Sequence, residues 1–319
     1  QAALDRIADH TQPVPLGELK ALSDLDEDGV DLLGAEWRAI EPSHRRAVAQ
    51  AMQELGEASP ELDFREAFVS FLGDEDPQVR TAALKGLWED TRRSTLRKLL
   101  AAMAGDPDEG AREAAATTLG AWTLQIAEGR LDQRISDEIE QAIFAIYSDQ
   151  KTPLTVRRRA LEALGYLGEQ PAIAAAIDEA HRSPDELWQQ SAIFAMGRSG
   201  QTRWRAAIKQ ALGHGSPAMR YEAARAVGEL GDQGRPLLQT MAPLVADHDT
   251  EVSLAAIWAL GQVGGTAARR MLEGLVREAE GDRQEAAESA LSELKFYADP
   301  MVSPPVEFDL DDDDEDEEA

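Results

Sequence analysis

No cysteine occurs among the 319 residues. That excludes a disulfide framework, a thiolate metal site and a cysteine nucleophile together, and it fits a reducing compartment. Aromatic residues make up only 5%, and β-branched runs are scarce, which disfavours sheet. No apolar stretch approaches the ~20 residues that a membrane helix needs. The first residues, Gln1 to Arg6, lack the basic-then-apolar pattern of an export signal. A cytoplasmic protein without a membrane partner is therefore expected. The chain starts at Gln1 rather than Met, so residues upstream of it are left open. Bases are scarce too, with 32 against 60 acids and a net charge of −28. Ten acids lie in the last stretch (Glu307, Asp309, Asp311 to Asp314, Glu315, Asp316, Glu317 and Glu318), and removing them leaves 50 acids against 32 bases. An acidic body of this kind repels phosphate backbones and anionic lipid, so nucleic acid is not an expected partner.

What is present is alanine, leucine and a period. A string reading apolar-Arg-x-x-Ala-apolar-x-x-Leu-Gly appears at Val156-Arg157 to Leu164-Gly165 and, with Val for Leu, at Met219-Arg220 to Val227-Gly228. Weaker copies begin at Val79-Arg80, Ala111-Arg112, Trp188-Gln189 and Val252-Ser253. Taking the Arg slot as anchor gives Val48, Arg80, Arg112, Arg157, Gln189, Arg220, Ser253 and Ala287, spaced 32, 32, 45, 32, 31, 33 and 34 apart. One interval is long, and its extra residues fall at about 122–136, as a loop or a lengthened helix. A period of this size is the signature of stacked supersecondary units.

Apolar residues at +3, +4 and +7 from each anchor make the anchored segment an amphipathic helix. A second amphipathic helix precedes it, for example Ile173 to His181, Trp204 to Leu212 and Leu237 to Val245. Turn signals such as Asp76-Pro77, Ser183-Pro184-Asp185 and Ser216-Pro217 separate the two, with a polar cap and proline in the first helical turn. Glycine at +8 either ends the helix or lets a neighbour approach closely. The +6 column is small inside the array (Gly86, Thr118, Ala163, Ala195, Ala226, Ala259) and charged at its ends (Glu54, Glu293), as stacking requires. The expected fold is all-α: a right-handed α-solenoid of about eight helix pairs over 43–298. An acidic helical lead-in over 1–42 precedes it, and a disordered acidic tail over 299–319 follows.

The Asp-Pro-x-Val-Arg-x-x-Ala-Leu-x-x-Leu stretch of Asp76 to Leu87, with its sisters, resembles the HEAT-repeat superfamily in the subtype also found in phycobilin lyases. The resemblance implies helix-pair repeats over roughly Ser43 to Ala298. It implies no single function, because such repeats serve scaffolds, transport adaptors, pigment-attachment proteins, a di-iron hydroxylase and DNA glycosylases. Di-iron hydroxylases of this kind would need His-Glu dipeptides, and none of the five histidines (His10, His44, His181, His214, His248) is followed by Glu. A glycosylase would need a basic groove, against which the acidic body argues. The functional expectation is a non-enzymatic protein-interaction scaffold, with phycobilin-lyase-like pigment attachment or chaperoning as the alternative that the resemblance implies.

Asp24-Leu25-Asp26-Glu27-Asp28-Gly29 copies the first half of a calcium loop, but position 12 is Ala35 where a bidentate Glu belongs. The expectation is an acidic lead-in to a helix over Gly29 to Ile40. No metal and no cofactor is expected. Columns +1, +5 and +9 lie on the side of the second helix turned from its buried stripe. In repeats four to seven they carry Tyr166, Phe194, Arg198, Tyr221, Arg225, Leu254 and Trp258, with Arg158 alongside. Aromatic residues with arginine are what binding hot spots are made of. These residues either form a partner-binding stripe on the inner wall or pack between neighbouring repeats. The anchor arginines Arg80, Arg112, Arg157 and Arg220 are expected to form a structural ladder with turn acids of adjacent repeats. Trp88, in the glycine slot of its repeat, is expected in the core. The acidic tail is expected to be a solubilising extension or to bind a basic partner.

Overall fold

The computed structural model describes residues 2–298, with side chains described as far as Leu294. The acidic tail at 299–319, with the disorder and basic partner expected of it, lies outside the described residues. The lead-in holds α1 (Ala2–Ile7), α2 (Leu16–Leu19) and α3 (Glu27–Trp37). The repeats follow as α4 (Pro42–Ala58), α5 (Arg65–Phe71), α6 (Pro77–Gly86), α7 (Arg93–Gly105), α8 (Glu109–Ala127), α9 (Gln133–Ser148), α10 (Leu154–Leu164), α11 (Pro171–His181) and α12 (Glu186–Arg198). Then come α13 (Arg205–Ala211), α14 (Pro217–Glu229), α15 (Leu238–Met241), α16 (Thr250–Val263), α17 (Gly265–Glu278) and α18 (Asp282–Ala298). There is no strand among the described residues.

The even-numbered helices from α4 to α18 stack on one another along the array, whereas the odd-numbered ones pack on their own partners and scarcely touch each other. A layer in continuous contact is shorter than a splayed one, so the even helices form the inner wall of an α-solenoid. The stack depends on small residues. At Gly165 an added Cβ would lie 3.0 Å from the Ala195 Cα, and at Gly197 it would lie 2.6 Å from the Ala226 Cα. Neither glycine has a positive φ. The +8 glycines there thus serve close approach of helices and not a left-handed helix end.

Aspartates set the helix starts. The carboxylates of Asp76, Asp108, Asp132, Asp185 and Asp249 accept hydrogen bonds from the backbone N–H of Gln78, Ala111, Ile135, Leu187 and Val252. Each satisfies a donor that the first turn leaves open, worth about 1 kcal/mol. In the lead-in, Asp26 accepts from Gly29 N at 2.8 Å and the helix starts at Glu27. The stretch resembling a calcium loop is therefore a capped helix start from its third residue onward. Among the described residues no group of three His, Asp or Glu side chains could hold a metal ion.

Two further segments depart from the pattern. The extra residues between repeats three and four lengthen α8 to 19 residues and then form the turn before α9. The helix expected over Leu237 to Val245 is broken. Only the four residues of α15 are α-helical, between 3₁₀ stretches at Gly231–Leu237 and Ala242–Ala246. Pro236 and Pro243 explain this, since each removes an N–H donor and its ring clashes with the carbonyl one turn earlier. His44 ties the lead-in to the array, its buried imidazole lying 2.7 Å from the carbonyl of Ile7.

Candidate functional site

The residues of the aromatic stripe lie on α12, α14 and α16 and, for Tyr166, on the 3₁₀ turn that follows α10. Positions three, four and seven apart share a face of one helix, and stacking aligns those faces from repeat to repeat. Tyr166, Phe194, Arg198, Tyr221, Arg225, Leu254 and Trp258 are all half-buried. The guanidinium of Arg198 sits between two rings, 4.9 Å from the centre of Tyr166 and 4.4 Å from that of Phe194. That of Arg225 lies 3.7 Å over Trp258. The ring of Trp258 covers Gly228 so closely that a Cβ there would fall 2.3 Å from it. Each stack joins neighbouring repeats, and each leaves part of its surface open. Burial pushes the phenol of Tyr166 above its ordinary value, with the charge of Arg198 opposing.

Beside this stripe runs a charged network. Arg158 Nε donates to Ser191 Oγ at 2.9 Å, and the Ser191 hydroxyl donates to Glu162 Oε1 at 2.6 Å. Arg159 donates to Glu162 Oε2 at 2.6 Å and to Glu113 Oε1 at 2.9 Å, so the network spans α8, α10 and α12. Glu222 on α14 faces it unmatched. Its Oε2 is buried and has no hydrogen-bond partner. Burial raises its pKa to about 7, aided by the like charge of Glu162 and opposed by Arg159, Arg225 and Arg158. Arg159, Ser191 and Glu222 occupy the +2 column, which shares a face with +5 and +9. Reading that column would have found them.

The anchor side chains lie between the layers. Arg80 pairs with Asp106 at 2.8 and 2.7 Å, and Arg220 with Asp247 at 2.8 and 2.9 Å. Each reaches the turn of the next repeat while also donating to carbonyls of its own turn, Asp74 and Glu75 for Arg80 and His214 and Gly215 for Arg220. Arg112 and Arg157 instead donate to the carbonyls of Met103 and Tyr147, which end the preceding helices. The position that would offer Arg157 an aspartate is Ser183. Its guanidinium lies 5.2 Å from the Trp188 ring instead. Gln189 and Ser253 hold the anchor slot without charge by donating to the carbonyls of Ser183 and Val245.

Trp88 corrects an expectation, because it is 49% exposed and not in the core. It follows the end of α6, where Phe68 covers Gly86 and leaves no room for a second large ring inside. Among the described residues no helix is long and apolar enough to cross a membrane.

The repeats match the family model described as HEAT repeats over 65–133, 173–242 and 229–292, more than half the chain. The model for the PBS lyase HEAT-like repeat matches 156–178. Among solved structures, the complex of CpcE and CpcF of phycocyanin lyase from Nostoc sp. PCC7120 is 19% identical. It covers 72% of this chain and 94% of that one at a TM-score of 0.47. YibA of E. coli is 16% identical over 88% and 96%, at 0.43. Human deoxyhypusine hydroxylase is 16% identical over 92% and 95%, at 0.36. No curated protein matches significantly.

Proposed function

The chain belongs to the HEAT-repeat family, and on that premise we propose that it is a non-enzymatic protein-interaction scaffold that receives a partner along the inner wall of repeats four to seven. The observation that supports this most is the pair of arginine–aromatic stacks, Arg198 with Tyr166 and Phe194, and Arg225 with Trp258. They are held in place by the array and half-open to solvent. A preformed stack costs little ordering entropy on binding, and arginine and aromatic side chains give most of the energy at protein interfaces. The half-buried Tyr221 and Leu254 add apolar area to the same face. The acidic body disfavours nucleic acid as the occupant. Pigment attachment has no residue on this wall that singles it out.

The test compares the full chain with an Arg198→Glu, Tyr221→Ala double variant as bait in native lysate. Neither substitution removes a fully buried group, so the cooperative melt should be retained. A discrete set of proteins held by the parent chain and lost by the folded variant supports the inner wall as the site. An identical set on both baits places recognition elsewhere and removes this proposal.

A further inference from the structure

The tryptophans, and the tyrosine and phenylalanine rings beside them, differ in what covers them, and several carry a cation over one face. Arg157 faces Trp188, Arg203 faces Trp204, Arg225 faces Trp258, and Arg198 serves both Tyr166 and Phe194. Trp37 and Trp122 are buried, and Trp37 stacks on Phe71 with ring centres 3.9 Å apart. Of the six tryptophans, only Trp88 is exposed, and it has neither a facing cation nor a hydrogen bond at its indole nitrogen.

Trp88 forms one side of a cleft of about 260 Å³ between the end of α4, the start of α5 and the end of α6. Gly56 and Pro60 also line it. Gly86, also in the lining, admits no side chain, because the ring of Phe68 lies 2.3 Å from where a Cβ would be. The one cation lining the cleft, Arg65, is held by both oxygens of Asp63. Glu89 lines it without any ion pair. Glu57 and Glu61, next in the chain to lining residues, are exposed and form no ion pair either. Besides the paired Arg65, Lys85, next to Gly86, is the one exposed base along these lining stretches. An open indole with a rim of surplus negative charge is the complement of a cation that carries a flat or apolar stem.

We propose that this cleft is a docking site for an arginine side chain of a basic partner protein, with the guanidinium seated on the Trp88 indole and Glu89 as its counter-charge. The site is separate from the inner wall of repeats four to seven and does not depend on it. Arginine fits better than lysine because its planar group stacks on an indole and still presents donors at its edge to a carboxylate.

The test uses the full chain labelled with ¹⁵N, whose six tryptophans give indole N–H signals that report each ring separately. A Trp88→Phe variant identifies the Trp88 signal. The probe is an acetylated, amidated Gly-Gly-Arg-Gly-Gly peptide in moderate salt, with Gln and Leu in place of Arg as controls. The expected result is a saturable shift of the Trp88 signal with the arginine peptide, at least threefold weaker in Glu89→Gln and absent with the glutamine peptide. An unmoved Trp88 signal overturns the proposal. So does an equal shift with the leucine peptide, which would make the cleft a seat for apolar groups.

Discussion

The closeness of the inner helices can be tested by adding one methyl group. Gly197 on α12 and Gly274 on α17 both sit within helices at φ values that alanine accepts. They differ in what a Cβ would meet. At Gly274 nothing lies within 4 Å, whereas at Gly197 the Cα and Cβ of Ala226 stand 2.6 and 2.8 Å away. Carbon atoms rest at about 3.5–4.0 Å, so α12 and α14 would have to part locally by about 1 Å. Alanine gains about 0.5–1 kcal/mol over glycine in a helix, and overpacking of rigid backbone costs about 1–3 kcal/mol. Gly274→Ala is therefore expected to stabilise by about 0.5–1 kcal/mol, and Gly197→Ala to destabilise by about 0.5–2 kcal/mol.

Urea unfolding followed by far-ultraviolet circular dichroism gives both signs. Gly274→Ala should raise the midpoint at unchanged slope. Gly197→Ala should lower it and, because stability in a solenoid is a sum over nearest neighbours, broaden the transition as the array uncouples between repeats five and six. A Gly197→Ala chain as stable as Gly274→Ala would refute the reasoning. The inner wall would then have slack, and the +8 glycines would need another explanation.

Glu222 makes stability depend on pH in an unusual direction. Its folded pKa of about 7 stands above the ordinary glutamate value, so the folded state holds the proton more tightly and stability falls as pH rises from about 4.5 to 7. Glu222→Gln should flatten that decline and stabilise the protein by about 1–3 kcal/mol at pH 7.5, read from urea midpoints at several pH values. A decline that persists in the variant assigns it to another group. The Arg220–Asp247 pair, with side chains 17% and 9% exposed, should show a coupling of about 1–2 kcal/mol in a double-alanine cycle. Arg220 holds the Asp247 carboxyl below its usual value, so this contribution should be present at neutral pH and vanish as pH falls through that lowered value. Additive alanine substitutions would mean that Arg220 acts through the turn carbonyls alone. Asp249→Ala removes the cap on α16 and should cost about 1 kcal/mol in the same assay.

The fold was legible because its information is periodic. One anchor column placed the inner helices, and the small +6 and +8 columns betrayed their stacking. Where local chemistry overrode the period, the sequence pattern misled. Pro236 and Pro243 break a helix whose apolar residues otherwise keep its rhythm. Trp88 reads as core because its column is buried elsewhere, but the Phe68 ring already fills the space over Gly86. That packing joins positions 18 apart in different helices, so no single column contains it.

The candidate site was legible by position and not by state, for a reason that belongs to solenoids. In the +5 and +9 columns Arg198, Arg225 and Trp258 stack across neighbouring repeats while staying half-exposed, so one side chain both packs and is displayed. Arg225 shows this: it lies 3.7 Å over Trp258 of the next repeat while its own exposed flank is within 3.7 Å of Glu229. A choice between packed and exposed is therefore false for these residues. Removing the Trp258 ring changes the packing of two repeats as well as the half-exposed face. Loss of binding by the arginine variants with unchanged cooperativity would separate recognition from packing, whereas deletion of the Trp258 ring cannot, since that ring packs on Gly228 of the preceding repeat.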